Sequence, residues 1–360
     1  MFNFYLSYNY ISWTRPSGPV PPPPAGFERD FIKTPSGDIE LLSIQPAERN
    51  SSVPPVVFAH GGMGCAWVWT PYMRYLAGRG IASYAVSTRG HGNSWHPSFL
   101  RMLYTVTKRD LGDDLVAGIK AVEEKEGGKQ VVLVGHSSGG GLSQLLLNEG
   151  DVKVQGLALL GAVPGTGSYG VYFNWACFDP WFSIRMLFHG WHSNSPLSHP
   201  FLVRQAFFSD SYPDAELAEF TAHLNRYESF LWPLGMLLPF TDARKILRNI
   251  TGWGSGGGER VLIMAGTGDK LMTRSVQEKS ALTFRTAFSE IAGREGGIEA
   301  KDDNGSIRPL VAAGSGSGSE LDNAGHGVQL AYVQGAGHHL QNDTMWEVGA
   351  EKLARFLEQL

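Results

Sequence analysis

A serine hydroxyl becomes a nucleophile at neutral pH only when a neighbouring base takes its proton and a third group holds that base. Gly135-His136-Ser137-Ser138-Gly139 offers such a serine. It follows the apolar run Val131–Val134 and precedes a helical segment that begins near Gly140. A bare G-x-S-x-G match is weak because both residues are common; the strand, sharp turn and helix around this one give it weight. Glycines on either side let the backbone take a strained turn with no Cβ clash, lifting the Ser137 hydroxyl clear of a sheet edge. The helix N-terminus behind it points backbone N–H groups at any developing negative charge.

The base must come from eleven histidines. His338 lies in Gly335-Ala336-Gly337-His338-His339, just past the last apolar run, where a loop can carry an imidazole over the sheet edge; His339 is its nearest competitor. His136 is expected to point into the fold, His60 to stabilise its own loop and His326 to be solvated. His189, His192 and His199 have irregular spacing and no acid or cysteine partner nearby, so no metal site is expected. The acid is assigned to Asp269, in the turn Gly266-Thr267-Gly268-Asp269-Lys270 after the run Val261–Ala265. The other candidate turn, Gly161-Ala162-Val163-Pro164, holds no acid, and Asp113 and Asp114 read as surface or capping groups on a helix. His60-Gly61-Gly62-Met63-Gly64 follows the run Val56–Ala59. The backbone N–H of Gly62 or Met63, with that of Ser138, is the candidate oxyanion hole, one such donor being worth about 3–4 kcal/mol in a transition state.

These groups need a scaffold that brings several strand ends together. Phe27–Lys33 and Ile39–Ile44 alternate around Pro35-Ser36-Gly37-Asp38, as an antiparallel hairpin does. Short, wholly apolar runs follow at Val56–Ala59, Ala82–Val86, Val131–Val134, Gly156–Leu160, Val261–Met264 and Val328–Val333. Segments of helical spacing separate the earlier runs, at Tyr72–Gly80, Asp110–Glu126 and Leu142–Asn148, and Thr344–Leu360 closes the chain as another. Strands apolar on both faces that alternate with helices predict an α/β fold, a mostly parallel central sheet with helices on both faces. Residues 27–163 and 251–360 are assigned to this core. Residues 1–26, which include Pro19-Val20-Pro21-Pro22-Pro23-Pro24, read as an extended arm, either a free tail or docked through Phe2, Phe4 and Tyr5. Residues 164–250, rich in aromatics and punctuated by prolines, read as an inserted helical cap. Residues 293–327, with Gly314-Ser315-Gly316-Ser317-Gly318-Ser319, read as a flexible surface insertion.

Composition excludes several classes. The 360 residues carry 30 Lys+Arg against 34 Asp+Glu, a formal charge of −4, which leaves no electrostatic footprint for nucleic acid. A 42% hydrophobic share supplies a buried core and excludes a wholly disordered chain. Two cysteines, Cys65 and Cys177, build neither a disulfide framework nor a zinc ribbon. No run approaches the roughly 18 apolar residues of a membrane-spanning helix. Met1–Ile11 lacks a basic stretch and a continuous apolar core, so a cytoplasmic protein is the default expectation.

The order Ser137…Asp269…His338, the serine elbow and the His-Gly loop resemble the α/β-hydrolase superfamily over about residues 27–360. Ser87-Thr88-Arg89-Gly90-His91-Gly92-Asn93-Ser94 is similar to that family's Asp-x-Arg-Gly-x-Gly-x-Ser loop but carries Ser87 in place of Asp. The separation of Asp269 from His338 exceeds the family's usual spacing, and the Gly/Ser-rich insertion accounts for most of the excess. The resemblance implies a capped serine hydrolase, esterase- or lactonase-like. Ser137 would attack an acyl carbon, His338 would accept its proton, and Asp269 would hold the imidazole's tautomer. A serine at the elbow argues against the haloalkane dehalogenases and epoxide hydrolases of the superfamily, which use aspartate there. Tyr169, Tyr172, Phe173 and Trp175 in the cap, with Trp67 and Trp69 behind the oxyanion loop, are the candidate pocket walls. The expected substrate is a medium-sized carboxylic ester or lactone of a bulky apolar or aromatic small molecule, with no cofactor, no nucleic-acid partner and no stable membrane insertion. Similar capped hydrolases act in fungal metabolite pathways, so secondary metabolism and a polyketide-like ester are part of this expectation. The alternatives are a C–C bond hydrolase or thioesterase using the same triad, and a non-catalytic ligand-binding homologue.

Overall fold

A computed structural model describes residues 4–254, 258–292, 306–310 and 321–360. The opening hairpin pairs β1 (Glu28–Thr34) with β2 (Gly37–Ile44) in antiparallel register. β3 (Val56–Ala59) leads through a 3-10 turn at Ala66–Trp69 into α1 (Thr70–Gly78), and β4 (Ser83–Ser87) into α2 (Phe99–Thr105) and α3 (Lys108–Lys125). A reciprocal capping box between Thr107 and Asp110 starts α3. β5 (Val132–His136) runs directly into α4 (Ser137–Glu149), and β6 (Gly156–Leu160) follows.

The helical segment after β6 contains α5 (Tyr169–Phe178), α6 (Phe182–Phe188), a 3-10 turn at Ser195–Leu197, α7 (Pro200–Phe207), α8 (Asp214–Ala222) and α9 (Leu231–Leu234). α10 (Ala243–Arg248), β7 (Val261–Gly266) and α11 (Arg274–Ile291) return the chain to the sheet. β8 (Arg308–Pro309), β9 (Asn323–Gly325), β10 (Val328–Val333) and α12 (Trp346–Glu358) complete it.

The strands form one sheet in the order β1-β2-β4-β3-β5-β6-β7-β10-β9-β8. The six from β4 to β10 are mutually parallel, and antiparallel strands flank them at both edges. β3, β5, β6, β7 and β10 are buried along their whole length, as their unbroken apolar runs require, because helices cover both faces. α1 packs with α12, while α3, α4, α10 and α11 form a continuous row. Parallel strands end on the same edge, so the loops after β3, β5, β7 and β10 meet there.

Three expectations are corrected. α10 packs on α4 and α11, and Val154 bridges Ile250, so the last residues of the 164–250 segment belong with the sheet's helix row. The 293–327 segment is not simply a surface insertion. Arg308–Pro309 and Asn323–Gly325 extend the sheet, and the buried Asp322 carboxylate pairs with Lys352 Nζ of α12 and accepts the Tyr332 N–H at 2.8 Å. His326, expected in solvent, is half-buried and sits 2.9 Å from Ser289 Oγ. The Gly/Ser run at 314–319 lies outside the described residues.

The arm is docked. Phe4 meets Trp181 and Phe188 edge-on, Tyr5 stacks on His199, Tyr8 on edge meets His189, and Trp13 meets His192. Phe2 lies outside the described residues.

Candidate active site

Ser137 has a φ of 51°, a left-handed backbone that a side chain disfavours and that persists where its surroundings force it. The surroundings here are extremely close. A Cβ on Gly135 would lie 2.6 Å from Gly140 Cα, and one on Gly139 would lie 2.1 Å from the His60 carbonyl oxygen. The elbow is therefore pressed against the loop after β3, and Ser137 is left half-buried on the wall of a cavity of about 150 Å³.

His338 Nε2 lies 3.0 Å from Ser137 Oγ, and its Nδ1 lies 2.8 Å from Asp269 Oδ2. Asp269 Oδ1 accepts the Leu271 and Met272 N–H groups at 2.8 Å each, which fixes the carboxylate and leaves the other oxygen for the imidazole. With a carboxylate on Nδ1, the ring's proton sits there and Nε2 faces the hydroxyl as acceptor. His338 is 2% exposed and Asp269 5%, so water competes little for these bonds.

The neighbouring imidazoles do other work. His339 points into a nest of Phe207, Phe208 and Phe220, and burial, with His136 and His338 beside it, holds its pKa well below the ordinary value. His136 is kept neutral by burial and then by His338, and its Nε2 donates to the His338 carbonyl at 2.9 Å, bracing that backbone. His60 braces its own loop through Nδ1, 2.8 Å from the Gly61 carbonyl, and ties it to the loop after β4 through Nε2, which accepts the Thr88 N–H at 3.3 Å. Burial and then His91 lower its pKa to about 3. His189 and His192 face the arm. Among the described residues, no group of three or more His, Cys, Asp or Glu side chains is arranged to hold a metal ion.

The loop after β3 separates its two candidate donors. Gly62 N–H points at Ser138 Oγ, 2.8 Å away beside the serine elbow. Met63 N–H is turned instead to Glu228 Oε2 at 2.9 Å, while Ser138 stands in the first turn of α4. Both candidate donors thus have a partner in this structure, Gly62 a hydroxyl that can rotate away and Met63 a buried carboxylate.

The cavity is mostly apolar. Val171, Tyr172 and Trp175 of α5 line it together with Phe207, Trp232 and Met236. The other aromatic candidates lie elsewhere. Tyr169 and Phe173, one turn apart on the outer face of α5, are 75% and 65% exposed. Trp69 is fully buried in the core against Phe58, Tyr72 and His136. Trp67 stacks on His223 at 3.7 Å and lines a second cavity beneath the arm.

Sequence reasoning missed four residues. Glu228 contributes a carboxylate to the cavity wall from a stretch with no motif. Asp343 accepts the Gly337 N–H at 2.7 Å and both the N–H and Oγ of Ser209, joining the histidine loop to the segment after α7. Asp114, expected at the surface, is buried and takes two bonds from the Arg89 side chain, at 2.8 Å each. Glu40 supplies the carboxylate that Ser87 lacks. It lies opposite Ser87 in the β2–β4 register, accepts the Ser87 hydroxyl at 2.7 Å and the Asn93 N–H at 3.1 Å, and pairs with Arg29. A two-residue register pairing was the available signal for Glu40; nothing local marked the other three.

A doubly wound sheet whose strand ends gather a serine elbow, a histidine and an aspartate defines a class. Residues 56–337 match the Alpha/beta hydrolase family, and the chain belongs to that family. Its fold is similar to solved structures across nearly its whole length. An esterase from Exiguobacterium antarcticum matches at a TM-score of 0.58 and 18% identity, covering 92% of this chain and 99% of that one. A carboxylesterase from Bacillus subtilis matches at 0.54 and 15%, covering 93% and 92%. A serine hydrolase involved in carbazole degradation matches at 0.55 and 15%, covering 92% and 98%. No helix among the described residues is long and apolar enough to cross a membrane.

Proposed function

We propose that the protein is a serine hydrolase that cleaves a carboxylic ester or lactone of a bulky apolar or aromatic small molecule through an acyl-enzyme on Ser137. The observation that carries this reading is the unbroken hydrogen-bond chain Asp269 Oδ2–His338 Nδ1 and His338 Nε2–Ser137 Oγ, opening on a cavity. Ser137 Oγ attacks the acyl carbon as His338 Nε2 takes its proton, and Asp269 stabilises the imidazolium that forms. The carbonyl oxygen, now negative, is met by the Gly62 and Ser138 N–H groups. His338 returns the proton to the leaving alkoxide, whose departure completes the acyl-enzyme. It then deprotonates the water that releases the acid.

The α5–α9 segment acts as a cap in this reading, with Tyr172 and Trp175 walling the acyl or alcohol side. The esterase neighbours are consistent with ester chemistry, while the apolar wall favours apolar substrate groups over sugars or charged acyl donors.

Intact-mass spectrometry after exposure to a fluorophosphonate tests the reading. One adduct on the wild type and none on folded Ser137→Ala is the expected outcome, to be followed by panels of esters, lactones and thioesters. An adduct that persists on Ser137→Ala, or a folded wild type that neither labels nor turns over any panel member, overturns it.

A further inference from the structure

Met63 follows Gly62 in the loop after β3 and has a φ of 64°, a left-handed conformation unfavourable for a residue with a Cβ. Two bonds hold it there, and both come from the stretch between α8 and α9. Its N–H donates to Glu228 Oε2 at 2.9 Å, and its carbonyl accepts the Asn225 N–H at 3.0 Å. Glu228 is buried and its own geometry is tightly set. Oε2 also faces His91 Nε2 at 2.8 Å, Oε1 accepts the Ser229 N–H at 2.8 Å, and the Glu228 N–H donates to Ser193 Oγ at 2.7 Å.

His91 Nδ1 lies 2.9 Å from the Arg89 carbonyl and 3.1 Å from Thr88 Oγ1. A protonated ring satisfies the carbonyl on one side and the Glu228 carboxylate on the other, and Glu228 raises the ring's pKa against the effect of burial. A bare carboxylate this close to the serine elbow would repel a developing oxyanion; a cationic His91 cancels that field.

We propose that Glu228, paired with His91, is a positioning residue for the oxyanion hole: it holds Met63 left-handed and thereby fixes the preceding Gly62 N–H beside the elbow, where it now donates to Ser138 Oγ and would pass to the reacting oxygen once that hydroxyl turns away. The inference rests on the serine-hydrolase reading and deepens it. It makes assembly of the hole depend on a residue outside the core, so the hole is complete only when the helical segment is docked. None of Glu228's hydrogen bonds is to Ser137 or His338; from the cavity wall it reaches the hole through Met63.

The test is steady-state hydrolysis of p-nitrophenyl acetate and butyrate by the full-length wild type, Glu228→Ala, Glu228→Gln and Glu228→Ala/Met63→Gly, each with its melting temperature. Glu228→Ala is expected to lose about 10- to 100-fold in kcat, less than or comparable to the loss of one oxyanion donor, with KM within about threefold. Its fluorophosphonate labelling should slow in step, because the phosphoryl oxygen uses the same hole. Glu228→Gln keeps an acceptor for the Met63 N–H and should retain most of kcat. Met63→Gly removes the strain at that φ and should recover at least part of what Glu228→Ala loses. A Glu228→Ala enzyme with wild-type kcat, or a loss confined to KM, overturns the proposal. So does an equal kcat loss in the Ala and Gln variants that tracks melting temperature and is not relieved by glycine. If Glu228→Ala does not fold, the Gln variant decides: kcat reduced more than about tenfold at an unchanged melting temperature and unchanged KM leaves no role for the retained acceptor and overturns it. A wild type that neither labels nor hydrolyses these esters marks failure of the underlying reading. An active, labelled wild type with an indifferent Glu228→Ala marks failure of this inference alone.

Discussion

Asp269 divides its two oxygens between the backbone and His338, and that division sets what a single substitution would do. In Asp269→Asn the amide oxygen can still accept the Leu271 and Met272 N–H groups, but the amide NH2 then faces His338 Nδ1 and favours the tautomer with its proton on Nε2. A base protonated at Nε2 cannot take the Ser137 proton, so kcat is expected to fall by about 10⁴ with the fold retained. Near-wild-type turnover would require a different carboxylate to orient His338. The sealed imidazoles predict a pH effect on stability. His60, His136 and His339 all have pKa values lowered by burial, so the unfolded chain takes up protons below pH 6.5 that the folded chain refuses. Stability therefore falls as pH drops from 6.5, by up to about 1.4 kcal/mol per pH unit for each histidine, and for His60 the fall continues to about pH 3. His91 has the opposite sign. Burial works against its cation, but Glu228 outweighs burial and raises the pKa; its stabilisation is full below pH 6.5 and is lost as pH rises through the folded value. Urea midpoints at pH 7.5 and 5.0 measure the balance: a lower midpoint at pH 5.0 is expected, and an unchanged one would mean these rings are not held neutral.

Elements that bury both faces announce themselves in sequence, and those held only by backbone pairing do not. β3, β5, β6, β7 and β10 are unbroken apolar runs because nothing polar survives at their positions. Ser137, Asp269 and His338 were legible for a related reason: each stands beside glycines just past such a run, where the chain must turn sharply at the sheet's edge. β8 and β9 are two and three residues long, too short to show a period, and exist through the pairings of Arg308 with Ala324 and Asn323 with Leu330. Glu228 was invisible because its partners Met63 and His91 lie 165 and 137 residues away. The buried Asp322–Lys352 pair is what ties the β9 edge to α12, since Lys352 Nζ also donates to the Tyr332 carbonyl at 2.7 Å. Asp322→Ala would leave an ammonium group buried without its carboxylate and should cost about 3–5 kcal/mol of unfolding free energy. Lys352→Met in the same chain should recover much of that loss. A single Asp322→Ala variant as stable as the wild type in urea would show that this edge contributes nothing to the fold.

At the scale of the whole molecule, the arm, the helical segment and the oxyanion loop form one line of contacts. Ile11 is buried, Tyr8 Oη donates to the Phe188 carbonyl at 2.7 Å, and His192 Nε2 donates to the Ser12 carbonyl at 3.0 Å. The Arg226 guanidinium reaches the arm at Ser12, Thr14 and the Arg15 carbonyl, at 3.3–3.4 Å. Arg226 lies between Asn225 and Glu228, the two residues that grip Met63. The arm thus backs the stretch that shapes the loop beside Ser137. Each aromatic contact along it is worth about 0.5–1.5 kcal/mol, and Ile11 adds the burial of one aliphatic side chain. Deleting residues 1–15 should therefore lower the melting temperature by several degrees, taking about 2–4 °C per kcal/mol. It should also speed chymotrypsin cleavage near Trp181 and Phe188, because Phe4 packs edge-on against both rings and its loss loosens that part of the segment. Ester turnover should fall while Ser137 still labels, since the deletion loosens the loop and leaves the Ser137–His338–Asp269 chain intact. Limited proteolysis read by mass spectrometry, beside kcat for the same preparation, measures both effects. Unchanged cleavage within residues 181–191 together with wild-type kcat would make the arm a passive covering, and the segment's docking would then have to come entirely from its bonds to Met63, Asp343 and the core.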